Sequence, residues 1–163
     1  MSTIYKPLDY KVHPEKFSIF LAGTIDMGSS ENWQKKITDV LADYDVDIYN
    51  PRRDDWDASW EQSASSEQFR KQVCWEQQAL RDARLRIFVI LGNSKSPITL
   101  LELGQFINKP GIVCCEPDFY RRGNVEIVCN LAGMTLVNSV DELVTYLQVL
   151  LDTYTIKHEG TKQ

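Results

Sequence analysis

Arg86-Ile-Phe-Val-Ile-Leu91 is an apolar run of strand length that stops at Gly92. A run of this kind, without polar alternation, reads as a central strand buried on both faces. On its N-terminal side, Phe69 to Ala83 has helical period, and Val46-Asp-Ile-Tyr49 is a strand stopped by Asn50-Pro51. Further back, Asn32 to Tyr44 places Trp33, Ile37, Val40 and Leu41 at helical spacing, after a strand Phe17-Ser-Ile-Phe-Leu-Ala22 that ends at Gly23. On the C-terminal side, Thr99 to Asn108 reads as a short helix and Gly111-Ile-Val-Cys-Cys115 as a fourth strand. Asn124 to Leu131 is helical, Met134-Thr-Leu-Val137 is a fifth strand, and Asp141 to Asp152 is a closing helix.

Strand–helix alternation implies parallel strands joined by right-handed crossovers, with helices on both faces. The expected fold is α/β: a single flavodoxin-like or Rossmann-like three-layer sandwich with a five-stranded parallel sheet. The domain is expected over 17–153, between a polar N-terminal segment (1–16) and a loose C-terminal tail (154–163). Such sheets bind ligands beyond the carboxyl ends of their strands. That rule gathers Gly23–Gly28, Asn50–Trp60, Gly92–Ile98 and Glu116–Asn124 at one edge.

The chain has 163 residues, enough for one domain with a proper core. No apolar run reaches the roughly 20 residues that span a bilayer, and Met1 to Lys16 lacks the apolar stretch of a secretory signal. These features point to a soluble cytoplasmic protein. A net charge of −5 argues against general nucleic-acid binding. The four cysteines form no CxxC pair and both histidines lie near the termini, so no zinc site or disulfide framework is expected. Reduced, mostly buried thiols are the expectation.

Two glutamates stand in awkward places. In the helix from Phe69 the apolar stripe is Phe69, Val73, Leu80 and Ala83, and Glu76 falls on that stripe. A carboxylate facing inward needs a partner, a ligand or a raised pKa. An ion pair with Arg52 or Arg53 would satisfy it as well as a functional role would. Glu102 is the only charged residue between Ser96 and Asn108. Thr99-Leu-Leu-Glu102 spells a capping box, with Thr99 as N-cap. The same place in a first helical turn would keep a catalytic carboxylate ionised, and Gly104 would leave space for a ligand. Other candidates are Gly23-Thr24-Ile25 as a sugar or phosphate loop, and Ser94, Ser96 and Thr99 as hydroxyl donors. Arg52, Arg53, Arg121 and Arg122 are candidate anion holders. Trp56 and Trp60 are candidates for stacking on a base.

Phe20-Leu-Ala-Gly-Thr-Ile25, Asn32-Trp33, Gln72-Val-Cys-Trp-Glu76 and Pro97-Ile-Thr-Leu-Leu-Glu-Leu-Gly104 together resemble the nucleoside 2-deoxyribosyltransferase-like proteins. The likeness runs from about Phe17 to about Leu150. It is nearest to members carrying Asn50-Pro-Arg-Arg53, Trp56-Asp57 and Arg122-Gly-Asn-Val125. The resemblance implies that Glu102 is the nucleophile and that Glu76 takes the place of the acidic residue that contacts the nucleoside or handles the proton. It also implies a sugar and base site from Gly23, Thr24, Ile25, Asn50, Arg52, Arg53, Trp56, Ser94, Ser96 and Thr99. Ser96 stands where nucleoside transferases often have Asp and where nucleotide-hydrolysing relatives carry a phosphate-contacting Ser, which favours a nucleotide. Ile19 and Phe20 stand where several relatives have a tyrosine that orients the nucleophile. Asn124 is similar to an asparagine that a neighbouring subunit supplies, which implies a homo-oligomer. The expected ligand is a small nucleoside or nucleotide.

The implied chemistry is attack of an ionised Glu102 on C1′ as the base departs, with Glu76 as proton donor. The sugar then passes to another base or to water. For these steps Glu102 should have a low pKa and Glu76 a raised one. No metal or organic cofactor is required. The alternative is a nucleotide-binding or sensing module on the same fold that has lost turnover.

Overall fold

The structure is a computed structural model that describes residues 1–25, 31–53 and 59–159. Six parallel strands form one sheet in the order β1-β3-β2-β4-β5-β6. They are β1 (Thr3–Tyr5), β2 (Phe17–Gly23), β3 (Val46–Tyr49), β4 (Leu85–Ile90), β5 (Gly111–Cys115) and β6 (Thr135–Val137). The helices are α1 (Trp33–Val40), α2 (Glu67–Asp82), α3 (Pro97–Phe106), α4 (Arg122–Ala132) and α5 (Val140–Glu159). The α/β sandwich is as expected, but the sheet has six strands rather than five. The sixth, β1, lies within the segment read as polar. It adds to the open edge of β3, with Ile4 opposite Ile48.

Alternate residues of the central strands serve opposite faces, as a pleated sheet requires. Ile19, Leu21, Ile87 and Val89 pack against Trp33 and Ile37 of α1 and Leu143 and Leu147 of α5. Phe20, Ala22, Phe88 and Ile90 pack against Trp75 and Leu80 of α2, Leu103 and Phe106 of α3, and Val125 of α4. The one cation in β4, Arg86, is buried, and its guanidinium is spent on the carbonyls of Leu80 (2.6 Å) and Arg81 (2.8 Å). It fastens the C-terminus of α2 to the sheet.

The N-terminal segment is tied down. Trp75 Nε1 donates to the Asp9 carbonyl at 2.7 Å, Tyr49 OH to the Lys11 carbonyl at 2.5 Å, and His13 Nδ1 meets Asp47 Oδ2 at 2.6 Å. At the other end α5 continues through the residues read as a tail, to Glu159. Of the thiols, Cys114, Cys115 and Cys129 are buried, while Cys74 is exposed on α2. Among the described residues no helix is long and apolar enough to cross a membrane.

The chain runs from β2 outward to β3 and then crosses back to β4 on the other side of β2. This reversal creates a switch point at the carboxyl ends of β2 and β4, where a crevice opens. Gly23 closes β2 there. A Cβ on it would lie 2.5 Å from Cζ2 of Trp33 and 2.5 Å from the Val89 carbonyl oxygen, which is backbone and cannot step aside. Overpacking of this kind costs about 1–3 kcal/mol. Gly23→Ala is therefore expected to lower the melting temperature by roughly 3–10 °C, measured by thermal denaturation. An unchanged melting curve would contradict this packing.

Candidate active site

A cleft of about 360 Å³ lies at this switch point. Its floor is Ala22 to Ile25 at the end of β2, one wall is Ser96 to Thr99 with Leu101 and Glu102, and the other is Phe69, Gln72, Val73, Glu76 and Gln77 of α2. Pro51, Arg53 and Gln62 complete the rim. Both awkward glutamates therefore open on one space.

Glu102 reaches it by a route different from the capping box. Helix α3 begins at Pro97, whose fixed φ and missing N–H suit a first helical position. Ser96, not Thr99, is the N-cap, and it holds a left-handed conformation (φ 45°, ψ 48°) that costs a non-glycine residue about 1 kcal/mol. A knot of hydroxyls holds that turn. Ser96 Oγ meets Thr24 Oγ1 at 2.5 Å and Ser94 Oγ at 2.7 Å, and Ser94 Oγ donates to the Leu91 carbonyl at 2.8 Å. With the helix starting early, Glu102 falls in its second turn, beyond the reach of the N-terminal N–H groups. It is 6 % exposed and has no hydrogen-bond partner among the described residues. Burial pushes its carboxyl up to about 8, and the charge of Glu76 adds to the rise. The expected low pKa is not found.

Glu76 sits where the stripe of α2 changes employment. Phe69 and Val73 face the cleft, whereas Ala79 and Leu80 are buried in the core. The carboxylate stands between these two environments, half-buried. Its hydrogen-bond partner is Gln72, at 3.0 Å, rather than Arg52 or Arg53. Burial pushes it up to about 7, against that bond, which lowers it. Two mutually repelling carboxyls, both raised, share about one proton near neutrality.

A family model described as "Nucleoside 2-deoxyribosyltransferase like" matches residues 16–119, which hold β2 to β5, the cleft and both glutamates. The chain belongs to the nucleoside 2-deoxyribosyltransferase-like family. Comparison with curated proteins finds no match. Among solved structures the chain is similar to a conserved protein from Enterococcus faecalis V583, with a TM-score of 0.56 and 13 % identity. That alignment covers 83 % of this chain and 99 % of the other, and it supports the shared fold.

In this nucleoside 2-deoxyribosyltransferase-like chain, Gly23, Thr24, Ile25, Arg53, Ser96 and Thr99 line the cleft. The remaining candidates among the described residues do not line it. Ser94 lies behind Ser96 within the hydroxyl knot. Asn50 is buried and its Oδ1 accepts from the Arg52 backbone N–H at 3.0 Å. The Arg52 guanidinium turns to α1, donating to Gln34 Oε1 and the Glu31 carbonyl, each at 3.3 Å. Arg53 stands over the Trp60 ring, 4.8 Å from its centroid. Arg122 is spent on the Cys115 carbonyl and Asn138, and Arg121 lies over Tyr120. Asn124 is exposed in the first turn of α4, away from the cleft. Gly104 faces open space rather than the cleft. Trp56 and the loop residues 26–28 lie outside the described residues.

The cleft also holds residues that the sequence did not single out as functional: Gln62, Gln72, Gln77, Ile98 and Leu101. Gln72 had one signal, its position four before a misplaced glutamate on a helix. Ile98 and Leu101 resemble core residues in sequence but are exposed at the cleft mouth. No group of three or more His, Cys, Asp or Glu side chains is placed to hold a metal among the described residues.

Proposed function

We propose that this protein cleaves the N-glycosidic bond of a nucleoside or nucleotide, with Glu102 as nucleophile and Glu76 as proton donor. The observation that carries this reading is the pair of raised, mutually coupled carboxyls opening on one cleft at the switch point. The singly protonated pair keeps its proton chiefly on Glu102, the higher of the two. In the minor form with the proton on Glu76, the ionised oxygen of Glu102 forms a bond to C1′ while the C1′–N bond breaks. The bonding electrons leave with the base, whose ring nitrogen takes the proton of Glu76. In the second step Glu76 removes a proton from water, or from the N–H of another base, as that group attacks C1′. The ester breaks, and Glu102 is released as a carboxylate. Thr24, Ile25 and Thr99 offer contacts to the sugar, and Arg53 a cation for a phosphate. In a homo-oligomer, the exposed Asn124 would serve a neighbouring copy. A cytoplasmic location belongs to the same reading.

The test is a panel of nucleosides and nucleotides, monitored by mass spectrometry for released base and for a sugar adduct on the protein. Base release from at least one member, with an adduct at Glu102, is the expected result. A second reading, a binding module without turnover, draws on Glu102 having no hydrogen-bond donor to hold it ionised. Thermal stabilisation by a nucleotide with no base released from any member would favour that module over the enzyme.

A further inference from the structure

Gln72 stands one helical turn before Glu76 on α2 and shares the cleft wall with it. Its Nε2 donates to Oε1 of Glu76 at 3.0 Å. An amide N–H can only donate, so the oxygen it touches is the accepting one, and a proton on the acid belongs to the other. We propose that Gln72 is a positioning residue for proton transfer: by occupying Oε1 of Glu76 it leaves Oε2 as the proton-bearing oxygen turned to the cleft. The inference rests on Glu76 being the proton donor, and it adds which atom gives the proton and what selects it.

A generic glutamine–glutamate pair at this spacing would add only a few tenths of a kcal/mol to the helix. The surroundings give this pair a further consequence. The charged groups that line the cleft with Glu76 are Glu102 from α3 and Arg53 from the loop after β3, while Gln62 and Gln77 are neutral. Burial opposes ionisation of Glu76. Gln72 favours it, because its N–H stabilises the charged form. The opposite arrangement, with the acid donating to the amide oxygen, would favour the neutral form. The sign of a titration shift therefore distinguishes the two.

The experiment uses the full chain with 13C-labelled glutamate carboxyls, titrated by NMR as wild type, Gln72→Leu and Gln72→Lys. The Glu76 signal is assigned from its loss in Glu76→Gln. Leucine and lysine are both good helix formers, so α2 should persist. The Leu variant is expected to raise the Glu76 midpoint by about one pH unit and the Lys variant to lower it by a similar amount. The alkaline limb of the kcat/KM profile should follow in both, with kcat lower by roughly ten-fold in the Leu variant. A Glu76 midpoint that stays put or falls in the Leu variant overturns the proposal. Absence of base release from wild type would instead sink the enzymatic reading, and the titration would still decide the contact.

Discussion

Glu102→Gln should reduce base release by at least roughly 1000-fold in kcat/KM, the scale expected when a covalent nucleophile is removed. The same variant should be more stable than wild type at alkaline pH. The folded carboxyl is raised to about 8 from an ordinary value of 4.5. Between those values the folded protein keeps a proton that the unfolded chain has released, so stability falls as pH rises through the window and levels off above it. Glutamine has no charge to bury and escapes that fall. At pH 8.5 the variant is expected to melt roughly 5 °C or more above wild type, and near pH 4.5 the two should nearly coincide. Paired thermal melts at the two pH values check this. A capping glutamate would give the reverse pattern, since its charged form would be the stabilised one. Full base release in the variant would remove Glu102 from the chemistry.

The second large effect is expected at Glu76. Its replacement by Gln removes the proposed proton donor and should lower kcat/KM by roughly 100- to 1000-fold for ordinary bases. The pH profile should lose one limb and keep the other. Wild type is expected to show a bell with limbs near 7 and 8, the first requiring loss of one proton from the pair and the second retention of the other. In Glu76→Gln the alkaline limb disappears. The acidic limb stays, because burial still raises Glu102 and Glu76 carries no charge in the form that reacts. A deoxyribosyl donor whose leaving group departs without a proton should lose far less rate than a natural base. Equal losses for both donors would deny Glu76 the role of acid.

The central sheet was readable because β2, β4 and β5 are buried on both faces, which forces continuous apolar runs into the sequence. Thr3–Tyr5 carries no such mark. A three-residue edge strand exists because β3 has an unpaired edge to fill, and its first two residues are exposed. Glu76 was legible as a misfit by helical arithmetic alone. That arithmetic could not show that the stripe divides, its first turns facing the cleft and its last turns the core. Gln72 escaped notice because a glutamine on a helix is ordinary until its neighbour is known to be half-buried. The arginine next to Asn50-Pro51 shows the same limit. Arg52 and Arg53 are equal in sequence, but the backbone turn sends one to Gln34 and the other to the cleft rim.

What the sequence determined by itself was the order of β2 to β6 with their helices and the two carboxylates that do not fit their surroundings. Both are local properties, set by side-chain period and residue type. The protonation of those carboxylates was decided only by the tertiary structure. Thr99-Leu-Leu-Glu102 obeys a capping pattern, yet Pro97 and the left-handed Ser96 start the helix earlier and carry Glu102 past its N-terminus. An acid's pKa is set by the water it loses and the charges it faces, and those are known only once α2 and α3 meet over the switch point.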